Sequence, residues 1–169
     1  MAERSADEAA EVECDFVKLY LLRHGRADWP DWSKSDDERP LTAKGKKEMA
    51  EVAKLLSRLE INAVILTSPL PRAQETAEIA GKFLQIEVRV EPALLPGFDR
   101  AKLKKLLAEF SDESLMLVGH EPDFTRAIFE MTGGETKLAK GGVACIDLDP
   151  STIKGELRWL VPPKFAKDR

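Results

Sequence analysis

Four short apolar runs, each handing over to a polar turn and then to a helix-spaced segment, constrain this chain more than any other feature. They fall at 16–22, 63–66, 86–90 and 115–118. Runs of this length, bounded by Gly, Pro and polar residues, read as buried strands. The first helical segment opens at Thr42, a capping residue type, and carries Met49, Val52, Leu55, Leu56 and Leu59 at helical spacing to about residue 59. A second opens at Ser68-Pro69, with Ser68 as N-cap and Pro69 in the first helical position, and ends near Gly81. A third covers 101–110 with Leu103, Leu106 and Leu107 inward; a fourth begins at Pro122 and stops at Gly133-Gly134. Two late runs, 143–148 and 157–161, have no helix between them and predict an antiparallel pair turning near Asp149-Pro150 and Gly155. The alternation predicts an α/β fold: a three-layer α/β/α sandwich whose mostly parallel sheet has an antiparallel C-terminal part.

Composition narrows the class. With 169 residues, 43% of them hydrophobic, the chain suffices for one domain, placed at 16–169. Residues 1–15 are rich in Ala and acids and predict a flexible acidic tail. The net charge of −4 argues against a general nucleic-acid binder. No segment approaches the ~18 apolar residues that span a bilayer, so no membrane partner is expected. Cys14 and Cys145 have no motif spacing, which predicts neither disulfide framework nor zinc site and suits a reduced, cytoplasmic setting.

The chain has two histidines, and each follows one of the apolar runs. Leu19-Tyr20-Leu21-Leu22 leads into Arg23-His24-Gly25, and Leu115-Met116-Leu117-Val118 into Gly119-His120-Glu121-Pro122. Both imidazoles are therefore expected at carboxyl ends of strands, where open α/β sheets bind ligands. A neutral imidazole nitrogen is a good nucleophile toward phosphorus, and Arg23 beside it can neutralise phosphoryl oxygens through forked hydrogen bonds. Gly25 would let backbone approach a ligand without a Cβ. Arg72 falls in the first turn of the second helix, where free N–H groups suit an anion. Glu121 reads either as a proton donor or as a first-turn carboxylate. Arg39 reads either as a further arginine for the site or as the partner of Asp36 or Asp37. Trp29 and Trp32, in the polar loop 27–40, either line a docking face or pack on the sheet edge. Two histidines without HxH or HExxH spacing, and no carboxylate cluster, make a poor metal set, and neither a Walker-type glycine loop nor a GxGxxG is present. No metal and no cofactor are expected.

Taken together, Leu-Leu-Arg-His-Gly, Arg-Pro-Leu-Thr-x-x-Gly at 39–45, Ser-Pro-Leu-x-Arg-Ala-x-x-Thr-Ala at 68–77 and Val-Gly-His-Glu-Pro at 118–122 resemble the histidine phosphatase superfamily, which is phosphoglycerate mutase-like in fold. Within it the chain looks like the small SixA-type phosphohistidine phosphatases. The resemblance implies that His24 accepts the phosphoryl group and that Arg23, Arg72 and His120 form its pocket. It adds Arg39 as a further arginine, with Gly119 and Gly25 at the substrate. Larger phosphoglycerate mutase-like members carry a glutamate in the loop after the third strand; here that stretch reads Ala93-Leu94-Leu95-Pro96-Gly97.

An alkoxide leaving group needs a proton, whereas a phosphohistidine protonated on its other nitrogen leaves as neutral imidazole. The expected activity is therefore metal-independent hydrolysis of protein phosphohistidine through a phosphohistidine enzyme. Its partner would be a phosphorylated protein, such as a histidine-containing phosphotransfer domain or a phosphocarrier. Two alternatives stand beside it. One is a broad small-molecule phosphomonoesterase using Glu121, Asp28 or Glu91 as acid; the other is a module that binds phosphorylated partners without turnover.

Overall fold

A computed structural model describes residues 15–167. Six strands form one sheet in the order β3-β2-β4-β1-β5-β6. They are β1 (Val17–Arg23), β2 (Val64–Thr67), β3 (Val88–Val90), β4 (Leu115–Gly119), β5 (Val143–Asp149) and β6 (Lys154–Val161). The first four run parallel, and β5 pairs antiparallel with both β1 and β6. The helices are α1 (Ala43–Ser57), α2 (Pro71–Leu84), α3 (Arg100–Glu109) and α4 (Asp123–Thr132). The expected α/β/α sandwich, parallel with an antiparallel C-terminal part, is the observed one. The acidic segment and Cys14 lie outside the described residues, apart from Asp15.

The period-two alternation of the strands divides the core. Leu19 and Leu21 of β1 face a cluster with Leu103, Leu106 and Leu107 of α3 and Phe124 and Ile128 of α4. Tyr20 and Leu22 face the opposite cluster, with Met49, Val52 and Leu56 of α1 and Ala73, Ala77 and Ala80 of α2. Every residue of β4 is buried, which is why its run is apolar without interruption.

Connectivity sets where a ligand can enter. The path from β1 to β2 and β3 runs toward one sheet edge, and that from β4 to β5 runs toward the other. Right-handed crossovers between the parallel strands then put α1 and α2 on one face and α3, on the return from β3 to β4, on the other, where α4 packs beside it. The chain leaves β1 and β4 toward opposite faces, opening a crevice at their carboxyl ends.

Several boundaries differ from expectation, for physical reasons. Helix α2 starts at Pro71, not Pro69: Leu70 precedes a proline and is held extended at ψ 139°, so Pro71 takes the first helical position. Ser68 is therefore no N-cap. The helix also passes Gly81 and ends at Leu84, with Gln85 left-handed at φ 57°. Gly81 is small because a Cβ would sit 2.7 Å from Ile86 O and from Val88 Cγ2. Ile86 N closes back onto Gly81 O, so β3 is only Val88–Val90. Thr42 does cap α1, accepting from Gly45 N at 3.0 Å, but Leu59 lies past the helix and is 48% exposed. Pro122 precedes α4 rather than opening it, and Gly133 ends it at φ 73°. Gly155 belongs to β6, and the hairpin turns at 150–153, where Asp149 accepts from Ser151 and Thr152. Among the described residues no helix is long and apolar enough to cross a membrane.

Candidate active site

Register brings the two histidines together. β1 and β4 pair with Leu22 opposite Val118 and Arg23 opposite Gly119, so His24 and His120 are the next residues on adjacent parallel strands. His24 N donates to Gly119 O at 3.1 Å, extending the ladder by one bond. The two rings lie 5.4 Å apart between centroids, tilted by 53°. Ser68, directly after β2, joins them from the other side of β4: its N donates to Val118 O at 3.0 Å.

Each imidazole is held by a hydrogen bond, and that of His24 also defines its proton. His24 Nδ1 lies 2.8 Å from Gly25 O. A carbonyl only accepts, so Nδ1 carries the hydrogen and Nε2 keeps its lone pair. His120 Nε2 lies 2.8 Å from Ser68 Oγ, which itself accepts from Leu70 N. A Ser68 hydroxyl that donates to His120 Nε2 goes with a ring proton on Nδ1, and one that accepts from it goes with the proton on Nε2. Burial, offset by the Gly25 carbonyl and reinforced by His120 and the arginines, pushes His24 down to about 3. His120 is pushed down to about 4, again chiefly by burial, with Arg72 adding to it. Both rings are neutral at physiological pH.

The histidines stand in a cleft of about 250 Å³ with Arg23, Arg39 and Arg72. Arg23 Nη1 donates to Leu138 O at 2.9 Å, while its buried Nε has no partner. Arg72, the second residue of α2 and only 6% exposed, donates from Nη1 to Asp36 O at 3.0 Å. Its own carbonyl accepts from Thr76 Oγ1, which in turn accepts from Gly25 N, tying α2 to the histidine loop. Arg39 fulfils both alternatives drawn from its sequence: it lines the cleft, and it pairs with Asp36 at 2.7 Å.

Other candidates fall differently. Gly25 and Gly119 do not line the cleft. A Cβ on Gly25 would meet Met49 Cγ at 2.7 Å, and one on Gly119 would meet Phe124 Cζ at 2.8 Å. Their smallness serves packing behind the histidines rather than ligand approach. Glu121 lines the cleft but accepts from Thr125 N at 3.0 Å and from the Thr125 hydroxyl. Asp28 also lines it and is bound to Lys140 at 2.5 Å; the hydrogen bond and charge of Lys140 outweigh partial burial and hold its carboxyl below the usual range. Glu91 is elsewhere, accepting from Ala93 N. Trp29 and Trp32 stack 6.2 Å apart on the loop and donate to Pro40 O and Ser35 O, not onto the sheet edge.

Sequence reasoning names Asp36 as a partner of Arg39 but misses its pairing with Arg72, and it misses Ser68 as the partner of His120, and Lys140. It also misses Asp123. This 6%-exposed carboxylate accepts from Gly97 N and Phe98 N and pairs with Arg126, pinning the loop that puts Pro96 in the cleft. The run Asp36-Asp37-Glu38-Arg39 held the one available signal, four charges in a row beside a site arginine. The others depend on pairings between distant segments. Among the described residues no group of three or more His, Cys, Asp or Glu side chains is arranged to hold a metal.

Comparison with known proteins agrees with this geometry. The family model described as histidine phosphatase superfamily (branch 1) matches residues 19–95. An uncharacterised protein of Picosynechococcus is 36% identical over 166 residues, covering 88% of this chain and 98% of that one. The probable phosphoglycerate mutase GpmB of Cronobacter sakazakii is 30% identical over 143 residues, 80% of this chain and 66% of its own length. The structure of the protein histidine phosphatase SixA complexed with tungstate superposes with a TM-score of 0.79 at 27% identity, covering 89% of this chain and all of that one. Fold, matched segment and relatives converge: the chain belongs to the histidine phosphatase superfamily, a group of phosphatases and mutases, and is SixA-like within it.

Proposed function

We propose that this chain hydrolyses phosphohistidine on a protein, through a covalent phosphohistidine on His24 and without a metal. One observation carries the reading. His24 is neutral, with Nδ1 committed to Gly25 O and Nε2 unprotonated, in a cleft with Arg23, Arg72 and His120 and with proline rather than a carboxylate at position 96.

In the first step the His24 Nε2 lone pair attacks phosphorus in line with the leaving imidazole. An N–P bond forms, the substrate's N–P bond breaks, and the leaving nitrogen keeps the electron pair. Because the substrate ring carries a proton on its other nitrogen, it departs neutral and needs no acid. In the second step water attacks phosphorus, its protons staying on the dihydrogen phosphate that forms, and the electron pair of the breaking His24 N–P bond returns to Nε2. The arginines and the His120 N–H donate to the phosphoryl oxygens, whose charge spreads in the transition state. Fixed donors in a partly desolvated cleft do this without reorganising as the charge develops. The reading of a protein-borne substrate is supported by the likeness to the protein histidine phosphatase SixA; a phosphotransfer domain or phosphocarrier is the partner proposed.

A second reading, a small-molecule phosphomonoesterase, draws on Glu121 and Asp28 lining the same cleft and on the GpmB likeness. Rates on a phosphohistidine peptide, an aryl phosphate and an alkyl phosphate, each with and without chelator, separate the two. The first reading expects rates to rise steeply with leaving-group quality, the alkyl ester being about 100-fold or more slower, with no effect of chelator. Equal rates on alkyl phosphate and phosphohistidine would support the second reading instead.

A further inference from the structure

The cations toward the mouth of the cleft are paired with carboxylates of this chain. Arg39 Nη2 lies 2.7 Å from Asp36 Oδ1, and Arg72 Nη2 lies 3.7 Å from Asp36 Oδ2. Lys140 Nζ lies 2.5 Å from Asp28 Oδ1. Arg23, at the floor, is the cation among the lining residues without a paired carboxylate. The two paired acids stand at the mouth, with side chains 68% (Asp36) and 50% (Asp28) exposed. Glu121 adds a third carboxylate to the wall, and Pro96 and Ala27 add no charge.

We infer that Asp36, with Asp28, is a specificity-determining residue that discriminates against phosphorylated ligands bearing a second negative charge. The inference rests on the cleft being the phosphoryl site proposed above. A phosphoryl dianion engages Arg23, Arg72 and the two histidines at the floor. A carboxylate elsewhere on the same ligand must lie toward the mouth, where Arg39 and Lys140 already hold Asp36 and Asp28. To reach either cation it must approach a carboxylate already bound there, and like charges held close are unfavourable. A leaving group that is neutral or cationic, and that offers an N–H, avoids that repulsion and finds an acceptor in Asp36. An imidazole does so; a glycerate does not.

The test is equilibrium binding by calorimetry, comparing inorganic phosphate with 3-phosphoglycerate on the unaltered protein, on Asp36→Asn and on Asp28→Asn/Asp36→Asn. Asparagine keeps the size of the side chain and an oxygen for Arg39, and the Asp36 backbone carbonyl still accepts from Arg72. The ratio of the two dissociation constants cancels any effect shared by both ligands. The unaltered protein should prefer inorganic phosphate. Asp36→Asn should shift the ratio toward 3-phosphoglycerate by about fivefold, the double variant further, and salt near 1 M should narrow it in the unaltered protein. A ratio unmoved by both variants and by salt overturns the inference while leaving the phosphoryl site intact. Failure of inorganic phosphate to bind at all removes the site reading, and the inference with it.

Discussion

The floor and the mouth of the cleft are built from different material. At the floor, His24, His120 and Arg72 are 9%, 4% and 6% exposed, and Ser68 is fully buried. Each follows or opens a regular element; the His24 ring is held by the adjoining Gly25 carbonyl, and His120 and Arg72 are held by hydrogen bonds to distant segments. At the mouth, Trp29 is 40% exposed and Asp36 sits on a three-residue 3-10 turn; side-chain ion pairs hold Asp28 and Asp36. The floor therefore holds charge-stabilising groups at fixed positions, as phosphoryl transfer requires. The mouth has contacts worth little individually, which suits selection among partners rather than chemistry. Catalytic losses should concentrate at the floor, and changes of preference at the mouth.

The largest effect that would break this contrast is at the arginines. Arg72→Ala should lower kcat/KM by roughly 100- to 1,000-fold on any phosphorylated substrate, the scale of losing a preorganised oxyanion donor. Arg39→Ala, nearer the mouth, should cost about tenfold. Equal losses would mean that the phosphoryl group sits higher in the cleft than argued here.

Next in size is a stability effect. The folded-state values of His24 and His120, about 3 and about 4, lie below the ordinary 6.5. Below pH 6.5 the unfolded chain takes up protons that the folded chain refuses, so stability falls as pH falls, down to those folded values. The loss approaches about 1.4 kcal/mol per pH unit per histidine, or about 2 kcal/mol each by pH 5. Urea midpoints at pH 7 and pH 5 should therefore converge in a His120→Asn variant relative to the unaltered protein. An identical pH dependence in both would contradict neutral burial. The same values predict that kcat/KM shows no loss through pH 6.5 from protonation of His24.

Ser68→Ala comes third. Removing the hydroxyl frees His120 to exchange tautomers, so turnover should drop about tenfold and the pH profile should change shape, while Ser68→Thr restores part of both. A loss of stability with an unchanged pH profile would make Ser68 merely structural. The smallest effect belongs to the mouth: Trp29→Ala should change kcat/KM on an aryl phosphate less than about threefold, and more on a phosphohistidine protein if the tryptophan pair contacts it.

What could be read in advance divides along the same line. Strand ends announce themselves, because an apolar run that stops at Arg23-His24-Gly25 or Gly119-His120 fixes where the imidazoles emerge; the β1–β4 register then does the rest. Arg72 was legible through its place in a helix's first turn, although the start itself was misplaced by two residues because Pro69 and Pro71 compete for the first position. At Gly25 and Gly119 the room is taken by Met49 and Phe124, which a glycine's sequence context does not name. The Ser68–His120, Asp28–Lys140 and Asp36–Arg72 pairs join segments 52, 112 and 36 residues apart, and nothing local encodes such partners. Asp123 has the sequence context of an ordinary first-turn carboxylate, yet it anchors the Gly97-Phe98 backbone.

The central claim is that His24 Nε2 takes the phosphoryl group. Rapid acid-free quenching during turnover of a 32P-labelled phosphohistidine peptide, followed by peptide mapping, tests it directly. The account predicts an acid-labile, base-stable label on His24 that forms faster than orthophosphate is released and is absent from His24→Ala, which should be inactive. Turnover retained in His24→Ala, or label on a different residue, would contradict it.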